Sequence, residues 1–411
     1  MKITKISAAA AAAIMMAAAL CGCGKSSGAS SSTSESKPAQ SAESGAAEGG
    51  NESGGEGLKE FTTACDGTAK VTVEGDKFMA GGKEIWFNGV NTPWDKWNDF
   101  GGGFNFEFWQ DHFAKLHDAG VNASRIWICC NGDVGMEISP DGTFTGATTA
   151  HWEDLDDLFF LAESYNIYIM ATVQSFDHYK DTNQNYKAWR ELIQSDEKTD
   201  QYIDNYIIPL VKRYDACDYL WSIDLCNEPD WIIEEDSCGK LKWDGPQKYY
   251  AKACSAIHAN SDVLVTVGMG MIKYNSDSQV KNVISDEALQ GLDIDWEKYD
   301  KDKAYVDFWS THWYAWMIPN WGVIYEHTPG GFGLTDDRPS VIGEMPAADP
   351  KYGDEGLTGA YKEAYQNGFR GVFAWKSSGS DDGCGLWKDI EPTIRAMLEA
   401  HEDEIFPLGK K

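Results

Sequence analysis

Two runs in this chain end in a carboxylate where an apolar strand would stop. The first is Trp221-Ser222-Ile223-Asp224-Leu225-Cys226-Asn227-Glu228-Pro229, and the second is Val341-Ile342-Gly343-Glu344-Met345-Pro346. A carboxyl at the mouth of an apolar strand is poorly solvated, so Glu228 can hold a raised pKa and act as a general acid near neutral pH. Two such groups facing each other across about 5–5.5 Å would form the pair that cleaves glycosidic bonds by double displacement, one as nucleophile and one as acid and then base.

Facing carboxylates need strands that end on one rim. From residue 85 onward, β-branched and aromatic runs alternate with amphipathic ones, the pattern of βα units around a parallel sheet. Candidate strands span 85–90, 122–128, 167–174, 219–226, 263–268, 305–311, 339–343 and 371–375. Their ends are about 41 residues apart on average, which suits a strand, a helix and two loops, and eight units make a (β/α)8 barrel. Candidate helices fit between them: 106–119 closing on Gly120, 151–165 with Leu155, Leu158, Phe159 and Ala162 on one face, and 354–367 closing on Gly368. Residues 68–80 read as a β-hairpin cap before the barrel. A doubly wound sheet shares the alternation, but reactive residues at the ends of several strands favour the barrel.

With these strand ends in place, residues 83–403 resemble clan A glycoside hydrolases, family 5 above all. The resemblance rests on eight positions in order: Arg125 in Ala123-Ser124-Arg125-Ile126-Trp127, His178 in Ser175-Phe176-Asp177-His178, Asn227 and Glu228, His312 and Tyr314 in Thr311-His312-Trp313-Tyr314, Glu344, and Trp375 in Phe373-Ala374-Trp375-Lys376. It implies Glu344 as nucleophile, Glu228 as acid/base and the other six as substrate-binding residues. The chemistry agrees with those roles. Arg125 and Tyr314 can lower the Glu344 pKa by a charge and a hydrogen bond, and Asn227 can hold a sugar 2-hydroxyl. His178 and His312 can donate to hydroxyls or fix the carboxylates, and Trp375 can floor the sugar at the cleavage point. This chemistry needs no metal and no organic cofactor.

Seventeen Trp in 411 residues suit both a core and the stacking of sugar rings. Trp94 and Trp97 after the first strand, Trp231 after the fourth, and Trp313, Trp316 and Trp321 after the sixth are expected in rim loops, with Trp94 and Trp231 as binding residues. Trp127, Trp221 and Trp309 lie inside strands and read as core. Asp381-Asp382-Gly383 lacks the spacing of a calcium loop and reads as a surface turn. Beyond residue 57 the chain has eight Cys without a CxxC pair, which argues against zinc; an even, exported set permits disulfides, whereas Cys226 inside an apolar strand and Cys129 and Cys130 at the end of another read as buried free thiols.

With 35 Lys+Arg against 65 Asp+Glu and a net charge of −30, the chain repels nucleic acid, anionic lipid and polyanionic glycans. Its tether is at the other end. Lys2 and Lys5 precede an uncharged stretch from Ile6 to Leu20, too short to span a membrane, and Leu20-Cys21-Gly22-Cys23 resembles a lipobox with Cys23 as the lipidated residue. Residues 1–23 are thus expected as a lipoprotein signal, and 24–57, with 10 Ser, 8 Gly and 5 Ala, as a flexible spacer before a catalytic domain over 58–411. The expectation is an exported, lipid-anchored monomer acting on a neutral polysaccharide. The long loop after the second strand, from Asn131 through Phe144, looks more like the endo-β-mannanases of the clan than its endoglucanases. An endo-β-1,4-glucanase and a non-catalytic glycan-capture lipoprotein are the alternatives.

Overall fold

The computed structural model describes residues 58–410, so the expected signal segment, Cys23 and the expected spacer lie outside the described residues. Eight parallel strands close on themselves: β1 (Phe87–Asn91), β2 (Ala123–Trp127), β3 (Tyr168–Thr172), β4 (Leu220–Asn227), β5 (Leu264–Met269), β6 (Trp309–His312), β7 (Ser340–Pro346) and β8 (Gly371–Trp375). A ladder from Gly371↔Phe87 to Ala374↔Val90 joins β8 to β1, which removes the two edges a doubly wound sheet would keep. The strands are buried along nearly their whole length, hence their near-continuous apolar sequences.

Helices cover the outside where the apolar periodicity places them. Phe106–Ala119 begins at Asn105, whose side chain accepts from Phe108 N, and stops at Gly120, which takes the left-handed φ of 108° that a side chain would resist. Thr149–Ser164 buries Leu155, Leu158, Phe159 and Ala162. Gly356–Gln366, Asp244–Asn260 and Trp387–Ile405 extend the outer layer.

Two boundaries differ from the sequence expectation. The run 85–90 is divided, because Ile85 ends a third cap strand. Val71–Glu74, Lys77–Ala80 and Lys83–Ile85 form an antiparallel sheet, and Gly81-Gly82, both at positive φ, make the tight turn between the last two. The strand expected over 305–311 starts only at Trp309, since the Asp307 carboxylate accepts from Val265 N at 2.7 Å and from the His258 ring at 3.0 Å. The long loop after β2 carries its own small sheet, Met136–Ile138 against Phe144–Ala147. All eight described cysteines are free thiols, six of them buried.

Candidate active site

At the C-terminal ends of the strands, one guanidinium gathers four side chains. Arg125 on β2 is fully buried; its Nε and Nη2 donate to Asp224 Oδ2 at 2.9 and 2.6 Å, its Nη2 also to Asn227 Oδ1 at 2.8 Å, and its Nη1 to Glu344 Oε1 at 2.7 Å and Asn91 Oδ1 at 3.2 Å. Tyr314 completes Glu344 by donating to Oε2 at 2.6 Å. Across from it, Glu228 leaves β4 at a φ of 47°, strained for a residue with a side chain, which turns its carboxyl off the strand direction. Glu228 Oε2 accepts from Trp231 Nε1 at 2.8 Å, and Oε1 lies 3.0 Å from His312 Nδ1. His312 Nδ1 is also 3.5 Å from Glu344 Oε2, and one ligand atom from each of Glu228, His312 and Glu344 falls within 4.8 Å of the others.

This convergence depends on two glycines. A Cβ on Gly268 would sit 2.8 Å from Arg125 Nη2 and 3.1 Å from His312 Nε2, and one on Gly343 would sit 3.0 Å from the His312 ring. Only a bare backbone lets the guanidinium and the imidazole pass beneath the carboxylates. Register shifts in the β4–β5, β6–β7 and β7–β8 ladders fall at this same end and re-aim the strand-end side chains.

Burial pushes the Glu228 carboxyl up to about 7, against the opposing pull of the Trp231 hydrogen bond and the Arg125 charge. Glu344 is also raised, by burial first and by the neighbouring Glu228. That departs from the lowering expected from its partners: Arg125 and Tyr314 do pull downward, but removing the carboxylate from water outweighs them. The pair is still unequal. Glu344 has a permanent cation on one oxygen and a hydroxyl donor on the other, so the shared proton belongs on Glu228. Burial brings His312 down to about 4, so the imidazole between them is neutral. Glu228, His312 and Glu344 form a grouping that could ligate a metal, but Arg125 against Glu344 Oε1 already supplies the positive charge there.

Around this centre stand two aromatic groups. Trp375 packs edge-on against Trp127 at 5.2 Å and Trp94 at 6.2 Å, and Trp94 against Trp97, which is 43% exposed. On the β4 and β6 side, Trp231 lies 6.1 Å from Trp316 and Trp316 6.4 Å from Trp321. Trp231, expected only as a sugar-stacking residue, holds the acid through its N–H. Two expectations are corrected. Trp313 is not on the rim: it is fully buried and donates to Gly322 O. His178 is fully buried too, with Nδ1 at Ser175 N and O, Nε2 at the Cys129 thiol and its ring edge-on to Trp189. It ties down the loop after β3 instead of facing a ligand.

No protein-family model matches the chain. It is 27% identical over 343 residues to the mannan endo-1,4-β-mannosidase of Cryptopygus antarcticus, an alignment covering 76% of this chain and 85% of the relative. With the enzyme of the same name from Mytilus edulis it shares 24% identity over 353 residues, covering 76% and 89%. The crystal structure of the Cryptopygus antarcticus β-1,4-D-mannanase superposes with a TM-score of 0.70 at 23% identity, over 80% of this chain and 94% of that one. The chain is a glycoside hydrolase, and it resembles the clan A enzymes of the family 5 type.

In this hydrolase the strand-end motifs leave out part of the hub. Asp224 is buried and accepts from Arg125, Thr172 Oγ1 and Gly268 N, while Asn91 Nδ2 donates to Gly343 O and Phe373 O at 3.0 Å each. A lone Asp inside the apolar run Trp221–Cys226 was the available signal, since a buried carboxylate demands a cation. Asp230, fully buried and raised to about 7 by burial, binds Gly270 N and Met271 N and so carries the loop after β5 alongside Glu228. Its partners come from 40 and 41 residues away, and no local pattern points to them.

Proposed function

We propose that this endo-acting hydrolase cleaves β-1,4-mannan or glucomannan with retention of configuration. The observation that carries the reading is the close approach of two carboxylates with opposite equipment: Glu344 clamped by Arg125 and Tyr314, Glu228 held at about 7 beside a neutral His312. A ligand-atom spacing within 4.8 Å leaves no room for the water that an inverting enzyme seats between its carboxyls. Glu344 attacks the anomeric carbon while Glu228 passes its proton to the departing glycosidic oxygen. Glu228 then takes a proton from water, whose oxygen displaces Glu344 from the sugar. Asn227 has its amide oxygen fixed by Arg125, and its Nδ2 makes only a 3.5 Å contact with Ser175 Oγ, so it is poised to donate to a sugar 2-hydroxyl. Trp375, Trp94 and Trp231 bind the polymer.

Mannan as substrate is supported by the two mannanase relatives and the long loop after β2. A glycan-capture protein has no use for a clamped nucleophile beside a protonated acid. Ahead of the barrel, residues 1–23 direct export and lipidation at Cys23, which tethers the enzyme outside the cytoplasm through the 24–57 spacer. Reducing-sugar release on galactomannan, glucomannan, barley β-glucan, xylan and pectin tests the specificity. Release from both mannans without β-glucan is expected, and β-glucan cleavage in their place would overturn the substrate assignment. Membrane association that persists in Cys23→Ala would overturn the anchor.

A further inference from the structure

The acidic turn Asp381-Asp382-Gly383 after β8 has the composition of a solvated loop, yet the structure turns one of its carboxylates inward. Asp382 Oδ2 accepts from Trp375 Nε1 at 2.8 Å and from Lys376 Nζ at 2.9 Å, and Oδ1 accepts from Cys384 N at 3.1 Å. Both oxygens are therefore engaged. Lys376 is 4% exposed, and its ammonium stands 5.3 Å from the Trp375 ring and 5.5 Å from the Trp94 ring. The Trp375 and Lys376 donors outweigh burial and hold the Asp382 carboxyl below the usual range, so it is an anion across the working pH of a glycosidase.

What this carboxylate restrains is the plane of an indole. Trp375 is half-buried, and its ring meets Trp127 at 73° and Trp94 at 75°, edge contacts that locate the ring without fixing its rotation about the Cβ–Cγ bond. That torsion has broad, roughly two-fold wells in tryptophan. A hydrogen bond from Nε1 distinguishes one edge of the indole from the other and selects a single well. We infer that Asp382 is a positioning residue for the hydrolase: through the Trp375 N–H it sets the face on which the sugar at the cleavage point rests, and through Lys376 it braces Trp94 beside it. The inference rests on the reading of Trp375 as a sugar platform. Its consequence is kinetic, because a floor that guides ring distortion toward the oxocarbenium-like transition state acts on kcat more than on the affinity contributed by the remaining subsites.

The test is a double-mutant cycle on the full chain with galactomannan, combining Asp382→Ala and Asp382→Asn with Trp375→Phe, which keeps a ring but removes the donor. Asp382→Ala is expected to lower kcat about tenfold with little change in KM, and Asp382→Asn to recover a good part of it, because the amide oxygen still accepts from the indole. In the Trp375→Phe background the further loss from Asp382→Ala should shrink to the small part carried through Lys376 and Trp94. Independent, multiplicative losses, or an Asp382→Asn as impaired as Asp382→Ala, would overturn the positioning role in favour of a structural one, and so would wild-type kinetics in Asp382→Ala. Should Asp382→Ala fail to fold, the same cycle run with Asp382→Leu, which keeps the side-chain volume but cannot accept from the indole, decides on the same criterion. Absence of sugar release by the unsubstituted chain on every glycan would instead overturn the glycanase reading, and this inference with it.

Discussion

At the N-terminal end of the barrel, Phe78 of the cap sheet packs against Phe87, Trp221 and Phe308 at ring separations of 5.1, 5.3 and 5.3 Å, and Trp221 stacks on Phe308 at 4.9 Å. Further along the same strands β1 and β4, at the C-terminal end, stand Asn91, Asp224, Asn227 and the turn into Glu228. One end is a dry aromatic plug in which each ring contributes by area. The other is a polar network in which one guanidinium, that of Arg125, ties Asn91, Asp224, Asn227 and Glu344 together. Removing a ring from the plug costs packing and leaves no group unpaired, whereas removing a partner from the network strands a buried charge. The difference separates stability from chemistry along a few residues of one strand.

The sharpest way to break this comparison is at the network's functional poles. Glu344→Ala and Glu228→Ala should each lower kcat on mannan by about a thousandfold or more while circular dichroism stays native. Near-normal rates in both would remove the catalytic assignment. Next come matched losses of stability at the two ends. Arg125→Ala leaves Asp224 and Glu344 as unpaired buried anions, a cost of about 3–5 kcal/mol, and abolishes activity. Phe78→Ala also costs about 3–5 kcal/mol, but folded molecules should keep their kcat. Thermal unfolding together with kcat measured well below Tm separates the two, and a Phe78→Ala enzyme with collapsed kcat would show that the plug and the site are not independent.

A smaller effect comes from the raised acid. Glu228 must carry its proton for the first step, so kcat/KM should fall as pH rises past about 7. The same shift bears on stability. The folded carboxyl titrates near 7 and the unfolded one near 4.5, so between those values the unfolded chain binds fewer protons, and this group's contribution declines as pH rises. Glu228→Gln should therefore be more stable than the parent at pH 7–8, by on the order of 1–3 kcal/mol and with a higher Tm, the gain fading toward pH 4.5. An equal Tm difference at both pH values would contradict the shift. The smallest expected effect is that of Trp231→Phe, which removes the donor on Glu228 Oε2 and should move the basic limb of the pH–rate profile upward by less than about one pH unit. A limb that moves down, or stays in place, would show that Trp231 serves the sugar alone.

Much of this end was legible because its signals are local. Asn227-Glu228-Pro229 and Gly343-Glu344 follow apolar runs directly, and Arg125, His312 and Tyr314 lie within two residues of a strand end, so a correct strand list put them on one rim. The failures are residues whose roles depend on neighbours far away in the chain. His178 sits one short turn past β3, and its burial comes from Cys129 and Trp189, 49 and 11 residues distant, so its sequence context could not separate a ligand from a latch. Trp313 lies between His312 and Tyr314 yet points the opposite way, as alternate residues on an extended segment do, and that two-residue period in the sequence itself argues against a rim position. The Gly81-Gly82 turn likewise marked the third cap strand, but the apolar run at 85–90 masked it.

By itself the sequence determined the architecture and the two carboxylates, because strand periodicity, helix caps and strand-end motifs are short-range and each is written within a few residues. It also held the means for convergence, in the small Gly268 and Gly343 that admit Arg125 and His312. Only the tertiary structure decided which side chains share a proton, which oxygen of Glu344 meets the cation, and that Asp382 reaches back to the Trp375 indole. Those outcomes depend on distances of a few ångströms between groups as much as 219 residues apart, and on the burial that shifts each carboxyl, quantities that exist only once the barrel has closed.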